Sequence, residues 1–218
     1  MKLTVLIPCF NEKKTIKRLI KKVEKINIKK QVIIIDDGSN DGTVEILRKI
    51  KKKNIKVKFN KINKGKGAAI KSSLNLIKGD LVLIQDADLE YSPNDYYKLI
   101  KPFKNKKNHV VYGSRVLNKK RYSLNQNIEK NFRVLGNHFL TLASNFFNKQ
   151  NLTDAHTCYK VISRDIFDKI DLKEYGFSFC PEVTTKLAKL NVNIIEKPIS
   201  YNGREFKDGK KIRLIDGI

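Results

Sequence analysis

Cysteine is scarce and poorly placed for a structural role. Cys9, Cys158 and Cys180 are odd in number and far apart. That pattern argues against a disulfide framework or a zinc site and predicts a reducing, cytoplasmic setting. Apolar runs are short too. None approaches the roughly 18 consecutive apolar residues of a membrane-spanning helix. The opening "MKLTVLIPCFNE" is too brief for a signal peptide and lacks a small-residue cleavage site. With 218 residues, 40% of them hydrophobic, the chain is expected to build one domain, 1–218, around a sizeable core.

Acidic residues are outnumbered, 22 against 46 basic ones, for a net charge of +24. A surface of that sign attracts phosphate, whether in nucleic acid, anionic lipid or a nucleotide. Lysine exceeds arginine 38 to 8 and asparagine is plentiful, a pattern that biased codon usage also produces. The bulk charge therefore names no partner, and function must be read from placed residues.

"KLTVLIP", the β-branched "QVIIID", "IKVKFN", "DLVLIQ" and "HVVYGS" have the length and composition of strands. Between them, Ile16, Leu19, Ile20, Val23 and Ile26 recur at helical spacing, as do Val44, Ile46, Leu47 and Ile50, and then Ala69, Ile70, Leu74 and Ile77. A further helix is expected to open at "SPND", with Ser92 as N-cap and Pro93 at its first position. Strands alternating with helices predict right-handed crossovers and an α/β fold with a mostly parallel sheet. The second half predicts a long amphipathic helix from about Ile128 to Phe147, a strand at "TCYKVI", a helix after Pro181 and a strand at "NVNIIEKPI". No linker or repeat divides the chain.

In such sheets ligands sit at the carboxyl ends of the strands. Asn11-Glu12, Asp36-Asp37-Gly38-Ser39 and Asp86-Asp88-Glu90 each follow a predicted strand, so three acidic clusters are expected at one sheet edge. Like charges repel, and a divalent cation resolves the repulsion. Mg²⁺ and Mn²⁺ take one or two carboxylates from protein and the rest from water and substrate phosphates. Asp86 and Asp88 suit that arrangement, with Glu90 as a third contributor. The plainer alternative is that "DAD" starts a polar loop and Glu90 belongs to a helix N-terminus.

"IPCFNE", "IIIDDGSNDGT", "NKGKGAAI" and "DADLEYSP", in this order, resemble glycosyltransferase family 2, and within it the polyprenyl-phosphate, dolichol-phosphate mannose synthase-like glycosyltransferases. The likeness continues through "YGSR", "TDAHTCYKV", "FSFCPEV", "PISYNGR" and "DGKKIRLIDG", almost the whole chain. It implies a GT-A fold, a nucleotide-binding α/β sandwich, with 1–115 as the nucleotide-sugar half and 116–218 as a smaller acceptor-side half with a closing loop. By this resemblance Pro8, Phe10, Glu12 and Asp37 hold the donor's base and ribose, and Asp86 and Asp88 form the D-x-D with Glu90 beside the metal. Arg115, Arg204 and Lys210 close on the diphosphate, and Arg133 grips an acceptor phosphate. Asp154 and Glu182 fall in acceptor-side motifs without an assigned role. Gly65 and Gly67 are expected to permit a tight turn, with Lys64 or Lys66 near the donor.

Departure of a nucleoside diphosphate requires metal and basic side chains to neutralise its developing charge. A hydroxyl acceptor needs a general base; a lipid phosphate is already an oxyanion and needs cations instead. Three histidines (His109, His138 and His156) against well-placed arginines favour a phosphate acceptor. His156 is either a hydrogen-bonded loop residue or a group near the metal or the acceptor. One rival acceptor is a sugar hydroxyl of a surface polysaccharide, with Asp154 or Glu182 as base. The other rival is a noncatalytic basic module binding nucleic acid or anionic lipid, which gives the acidic clusters no purpose; no nucleic-acid partner is expected. An acceptor confined to a bilayer predicts peripheral contact at the cytoplasmic face of an anionic membrane. Lys119, Lys120 and Arg121 precede the apolar stripe Phe132, Leu135, Phe139, Leu140, Leu142, Ala143, Phe146 and Phe147, most of which is expected to pack on the sheet.

Overall fold

Strands without a polar face are stable only when both faces are covered. β1 (Leu3–Cys9), β2 (Lys30–Asp36) and β4 (Leu81–Ile84) are such strands, and their side chains are almost all buried. The cover begins with α1 (Ile16–Lys25), which turns Ile16, Leu19, Ile20 and Val23 inward and its lysines to water. α2 (Thr43–Arg48), β3 (Ile55–Phe59), α3 (Lys66–Lys71), α4 (Tyr96–Ile100) and β5 (Val110–Ser114) complete the first half. The second half contributes α5 (Ile128–Asn148), β6 (Lys160–Ser163), α6 (Arg164–Phe167), α7 (Phe179–Lys189) and β7 (Ile194–Pro198). The structure, a computed structural model, describes residues 1–118 and 128–204, with side chains in the second stretch from Val134 onward.

One seven-stranded sheet runs in the order β3-β2-β1-β4-β6-β5-β7. β1 pairs in parallel with β2 and β4, and β3 with β2; β6 is antiparallel to both its neighbours, and β7 is parallel to β5. Register decides what meets at each end. Cys9 lies opposite Asp36, Ser114 opposite Pro198, and the reversed β6 begins at Lys160 opposite Tyr112. The loops leaving β1, β2, β4, β5 and β7, and the loop entering β6, therefore all open on one edge.

Two glycines make that edge compact. Gly38 has φ +78°, and a Cβ there would lie 2.8 Å from the Asn63 amide nitrogen. A Cβ on Gly67 would lie 2.1 Å from the Glu174 carbonyl oxygen, so α3 meets the 174–176 backbone without a side chain between them.

Three local expectations change. The third helix stops at Lys71 and hands over to a 3₁₀ turn, Leu74–Leu76. Pro93–Asp95 is a 3₁₀ turn leading into α4, and the Ser92 side chain forms no cap bond. Most of the described apolar stripe of α5 is turned outward rather than packed on the sheet: Leu135, Phe139, Leu142, Phe146 and Phe147 are exposed, the last two at 80%, Leu140 and Ala143 are half-buried, and the Phe132 side chain lies outside the described residues.

β6 opens with a fully buried lysine. Lys160 Nζ donates to the Ala155 carbonyl at 2.8 Å and lies 3.7 Å from the centre of the Tyr112 ring. Burial lowers its pKa to about 8, against the opposing influence of Cys180 and Asp154. The unfolded chain titrates this amine near 10.5. Between the two values the unfolded chain binds a proton that the folded chain does not, so stability rises with pH across that window. Below it the burial cost is fully present, on the order of 3 kcal/mol, partly offset by the bond to Ala155. Lys160→Met is therefore expected to raise the melting temperature most at pH 7 and progressively less toward pH 10. Thermal unfolding at both pH values checks this; a gain independent of pH contradicts it.

Candidate active site at the sheet edge

The loop after β4 carries the densest negative charge. Leu89 takes φ 68°, a left-handed conformation that costs energy for a residue with a Cβ. This turn sets Asp88 Oδ1 to accept from the Glu90 amide at 3.0 Å. Asp86 is paired with Lys66, whose Nζ lies 2.6 Å from Asp86 Oδ1 and 3.2 Å from Cys158 Sγ. Burial works against the Lys66 charge, but the Asp86 carboxylate outweighs it and holds the ammonium well above its ordinary pKa. Asp88 is shifted toward its neutral form instead. Burial, then the charges of Asp86 and Glu90, raise its pKa to about 7, with Arg204 opposing.

The loops after β1 and β2 interlock beside it. Asn11 Oδ1 accepts from the Asn40 amide at 2.9 Å, and the Asn11 amide donates to Ser39 Oγ at 2.8 Å. Glu12 is buried, receives the Thr15 hydroxyl and meets Arg204 NH2 at 3.0 Å. Asp37 accepts from Asn60 Nδ2 and from the Lys64 and Gly65 amides, at 2.7–2.9 Å, and so organises the "NKGKG" loop. Beyond Lys66, the Gly67 and Ala68 amides donate to the carbonyls of Gly176 and Tyr175. Gly65 and Gly67 thus lie in a tight turn four of whose amides are held within the protein. Pro8 lies opposite Ile35 near the end of β1, Phe10 follows the strand, and both are half-buried.

A second set of partners comes from the chain's other half. Arg115 clamps Asp154 with Nε at 2.7 Å, NH2 at 2.8 Å and its amide at 3.0 Å. Burial disfavours both charges, yet each stabilises the other: the Asp154 carboxyl is held below its usual pKa and the Arg115 guanidinium above. Tyr201 links this pair to the acidic loop. Its ring centre lies 5.2 Å from the Arg115 guanidinium carbon, and its hydroxyl donates to Glu90 Oε2 at 2.6 Å. Glu182 is engaged elsewhere, accepting from the Lys173 and Glu174 amides and from Lys186 Nζ at 2.6–3.1 Å. His156 has its Nε2 buried with no hydrogen-bonding partner, and burial, then Lys160, lower its pKa. The Arg133 side chain and Lys210 lie outside the described residues.

Sequence reasoning passed over Tyr201, Cys158 and Lys160. All three stand inside motifs quoted above, "PISYNGR" and "TDAHTCYKV", but their partners are remote in sequence. Among the described residues no three His, Cys, Asp or Glu side chains form a ready metal cage. The donor set nevertheless suits a hard cation that takes one or two protein carboxylates. Asp88 is a half-buried carboxylate crowded by like charge and 3.4 Å from Arg204 NH2, while Asp86 is paired with Lys66 and Glu90 accepts from the Arg204 amide.

The family model described as Glycosyl transferase family 2 matches residues 4–171, and the chain belongs to that family; it is a glycosyltransferase. Among curated proteins it is 28% identical to a UDP-N-acetylglucosamine–dolichyl-phosphate N-acetylglucosaminyltransferase of Methanococcus voltae, over 98% of this chain and 91% of that protein. It is 27% identical to a dolichyl-phosphate beta-glucosyltransferase of Trichomonas vaginalis, over 97% of this chain and 68% of that protein. In fold it resembles the mannosyltransferase of Pyrobaculum calidifontis solved with GDP-Man and Mn²⁺, with a TM-score of 0.65 at 18% identity, over 90% of this chain and 54% of that one. It also resembles the glucosyl-3-phosphoglycerate synthase of Mycobacterium tuberculosis solved with Mg²⁺ and UDP, with a TM-score of 0.70 at 17% identity, over 95% of this chain and 73% of that one. The expected GT-A fold is thereby met.

The raised pKa of Asp88 has a direct consequence for stability. Its carboxyl keeps a proton up to about pH 7 in the folded chain but loses it near 3.8 in the unfolded one. Stability from this group thus falls as pH rises through that window, and the cost is complete above it. In EDTA, Asp88→Asn is expected to melt higher than wild type at pH 8, by a few degrees at about 2–4 °C per kcal/mol. The gain should shrink toward pH 4. A lower melting temperature at pH 8 contradicts the repulsion described here.

Proposed function

We propose that this glycosyltransferase moves a hexose, with inversion, from a GDP- or UDP-linked donor to a polyprenyl phosphate at a membrane surface, assisted by Mg²⁺ or Mn²⁺. One observation supports the choice of acceptor: among the described residues, the two carboxylates expected as bases for a hydroxyl acceptor, and His156, are engaged or weakened. Asp154 is clamped by Arg115. Glu182 is filled by two amides and Lys186. His156 has its proton affinity lowered by burial and Lys160. A phosphate oxyanion needs no base, and cationic side chains suit it. The names of the relatives in Methanococcus voltae and Trichomonas vaginalis favour the same acceptor class.

In this reading Glu12 and Asp37, with Pro8 and Phe10, line the nucleoside end of the donor site. Asp88, helped by Asp86 and Glu90, holds the cation. A bound Mg²⁺ or Mn²⁺ neutralises charge on the diphosphate as it leaves. Lys66 pairs with Asp86 and orients it, and Arg115, Arg204 and Lys210 are assigned to the phosphates. Asp154 then acts as a positioning residue for Arg115 rather than as a base, and Arg133 is assigned to the acceptor phosphate. Peripheral membrane contact is assigned to the outward face of α5. Leu135, Phe139, Leu142 and Phe146 recur there at helical spacing, and a net charge of +24 favours an anionic leaflet. Among the described residues no helix is long and apolar enough to cross a membrane.

Two measurements test the reading. Purified chain with Mn²⁺ and a panel of GDP- and UDP-hexoses should glycosylate a short polyprenyl phosphate, and EDTA should abolish the transfer. It should also float with phosphatidylglycerol vesicles at low salt, and Phe139→Ser with Phe146→Ser should cut the floated fraction severalfold. Transfer to a water-soluble sugar hydroxyl but not to the lipid phosphate would replace this acceptor with the polysaccharide one.

A further inference from the structure

The segment after β7, residues 199–204, lies across the sheet edge as a strap. Ile199 N–H donates to the Ser114 carbonyl at 3.0 Å, Ser200 N–H to Asp95 Oδ2 at 2.7 Å, and Tyr201 forms a bridge with Tyr91. Glu90 fastens its far end. The Asn202 amide donates to the Glu90 carbonyl at 2.9 Å, the Arg204 amide to Glu90 Oε1 at 2.8 Å, and the Tyr201 hydroxyl to Oε2 at 2.6 Å.

This latch lowers the Arg204 guanidinium into the carboxylates. Its NH2 lies 3.0 Å from Glu12 Oε1 and 3.4 Å from Asp88 Oδ2, and its NH1 lies 3.3 Å from Glu12 Oε2. Its Nε is buried without a hydrogen-bonding partner among the described residues, 3.8 Å from Glu90 Oε1. One planar cation thus touches carboxylates from two loops, those after β1 and β4, yet leaves a strong donor unused. A resting place chosen for its hydrogen bonds would not strand a guanidinium N–H. A resting place chosen for charge would.

We infer that Arg204 is a placeholder cation: in the donor-free enzyme, anchored on Glu12, it neutralises Asp88 and Glu90, which the metal ion will use, and the metal gains full access only when a donor diphosphate draws the guanidinium away. The inference rests on the reading of this edge as a metal and nucleotide site, and goes beyond it by making Arg204 a competitor of the metal before it is a ligand of the donor. The guanidinium and a metal ion compete for the same Asp88 and Glu90 oxygens, which cannot serve both fully. A diphosphate offers the guanidinium other acceptors, Nε included, and so releases those oxygens to the metal. The strap is therefore a device against loading the metal without the donor.

Calorimetric titration of Mn²⁺ alone, without nucleotide, into wild type, Arg204→Gln and Arg204→Lys separates the possibilities. Arg204→Gln is expected to bind Mn²⁺ about tenfold more tightly than wild type, a typical size for coupling between two sites. Arg204→Lys, which keeps the charge, should stay within a few-fold of wild type, and the gap between Gln and wild type should close when GDP or UDP is present. Circular dichroism and melting temperature establish that each variant is folded. Equal or weaker Mn²⁺ binding by folded Arg204→Gln without nucleotide overturns the placeholder while leaving the metal reading intact. If neither protein binds Mn²⁺ even with nucleotide, the metal reading and the inference fall together.

Discussion

Carboxylates crowded at the end of a parallel sheet are the constraint on which the rest of this structure depends. Asp86, Asp88 and Glu90 leave β4 within five residues, and Glu12 approaches from the end of β1. In a partly buried setting such charges repel strongly. The chain answers each with a specific cation rather than with its bulk lysine. Lys66 sits on Asp86, Arg204 bridges Glu12 and Asp88, and Arg115 locks Asp154. Asp88 has the least compensation, and its pKa of about 7 reflects that. An arrangement that costs stability at one point, in a fold otherwise well packed, is characteristic of a site kept for chemistry.

The same ion pairs tie the second half of the chain to the first. Glu196 on β7 accepts from the Thr153 and Asp154 amides, which steadies the carboxylate that holds Arg115. Tyr201, edge-on to Tyr91 and beside Arg115, reaches Glu90. Groups from the two halves of the chain therefore share neighbours. A shift of the strap is felt at Glu90, Arg115 and Glu12 together, which gives a small segment leverage over the whole edge.

Much of this was legible in the sequence, because periodicity and loop position are local properties. The β-branched run at Gln31–Asp36 reads as a doubly covered strand, and the helix expected from about Ile128 to Phe147 spans Ile128–Asn148. Acidic residues directly after strands had to gather at one edge once the sheet was parallel there. Pairings were not legible. Nothing local says that β6 inserts antiparallel between β4 and β5, that Lys66 chooses Asp86, or that Asp154 is held by an arginine 39 positions away. Nor does an apolar stripe say which way it faces. The stripe of α5 has the spacing of a core helix, yet Phe139 and Phe146 point to solvent. Third-helix propensity was overridden as well, since α3 ends after six residues where the chain turns toward β4.

The central claim is that the carboxylate edge is a metal-assisted nucleoside diphosphate site. Thermal unfolding with GDP and UDP, each with Mn²⁺ and with EDTA, tests it most directly, because a ligand that binds only the folded chain raises its stability by mass action. The account predicts that one of the two nucleotides, with Mn²⁺, raises the melting temperature in a concentration-dependent way, and that EDTA removes the effect. No shift with either nucleotide, or the same shift in EDTA, would contradict it.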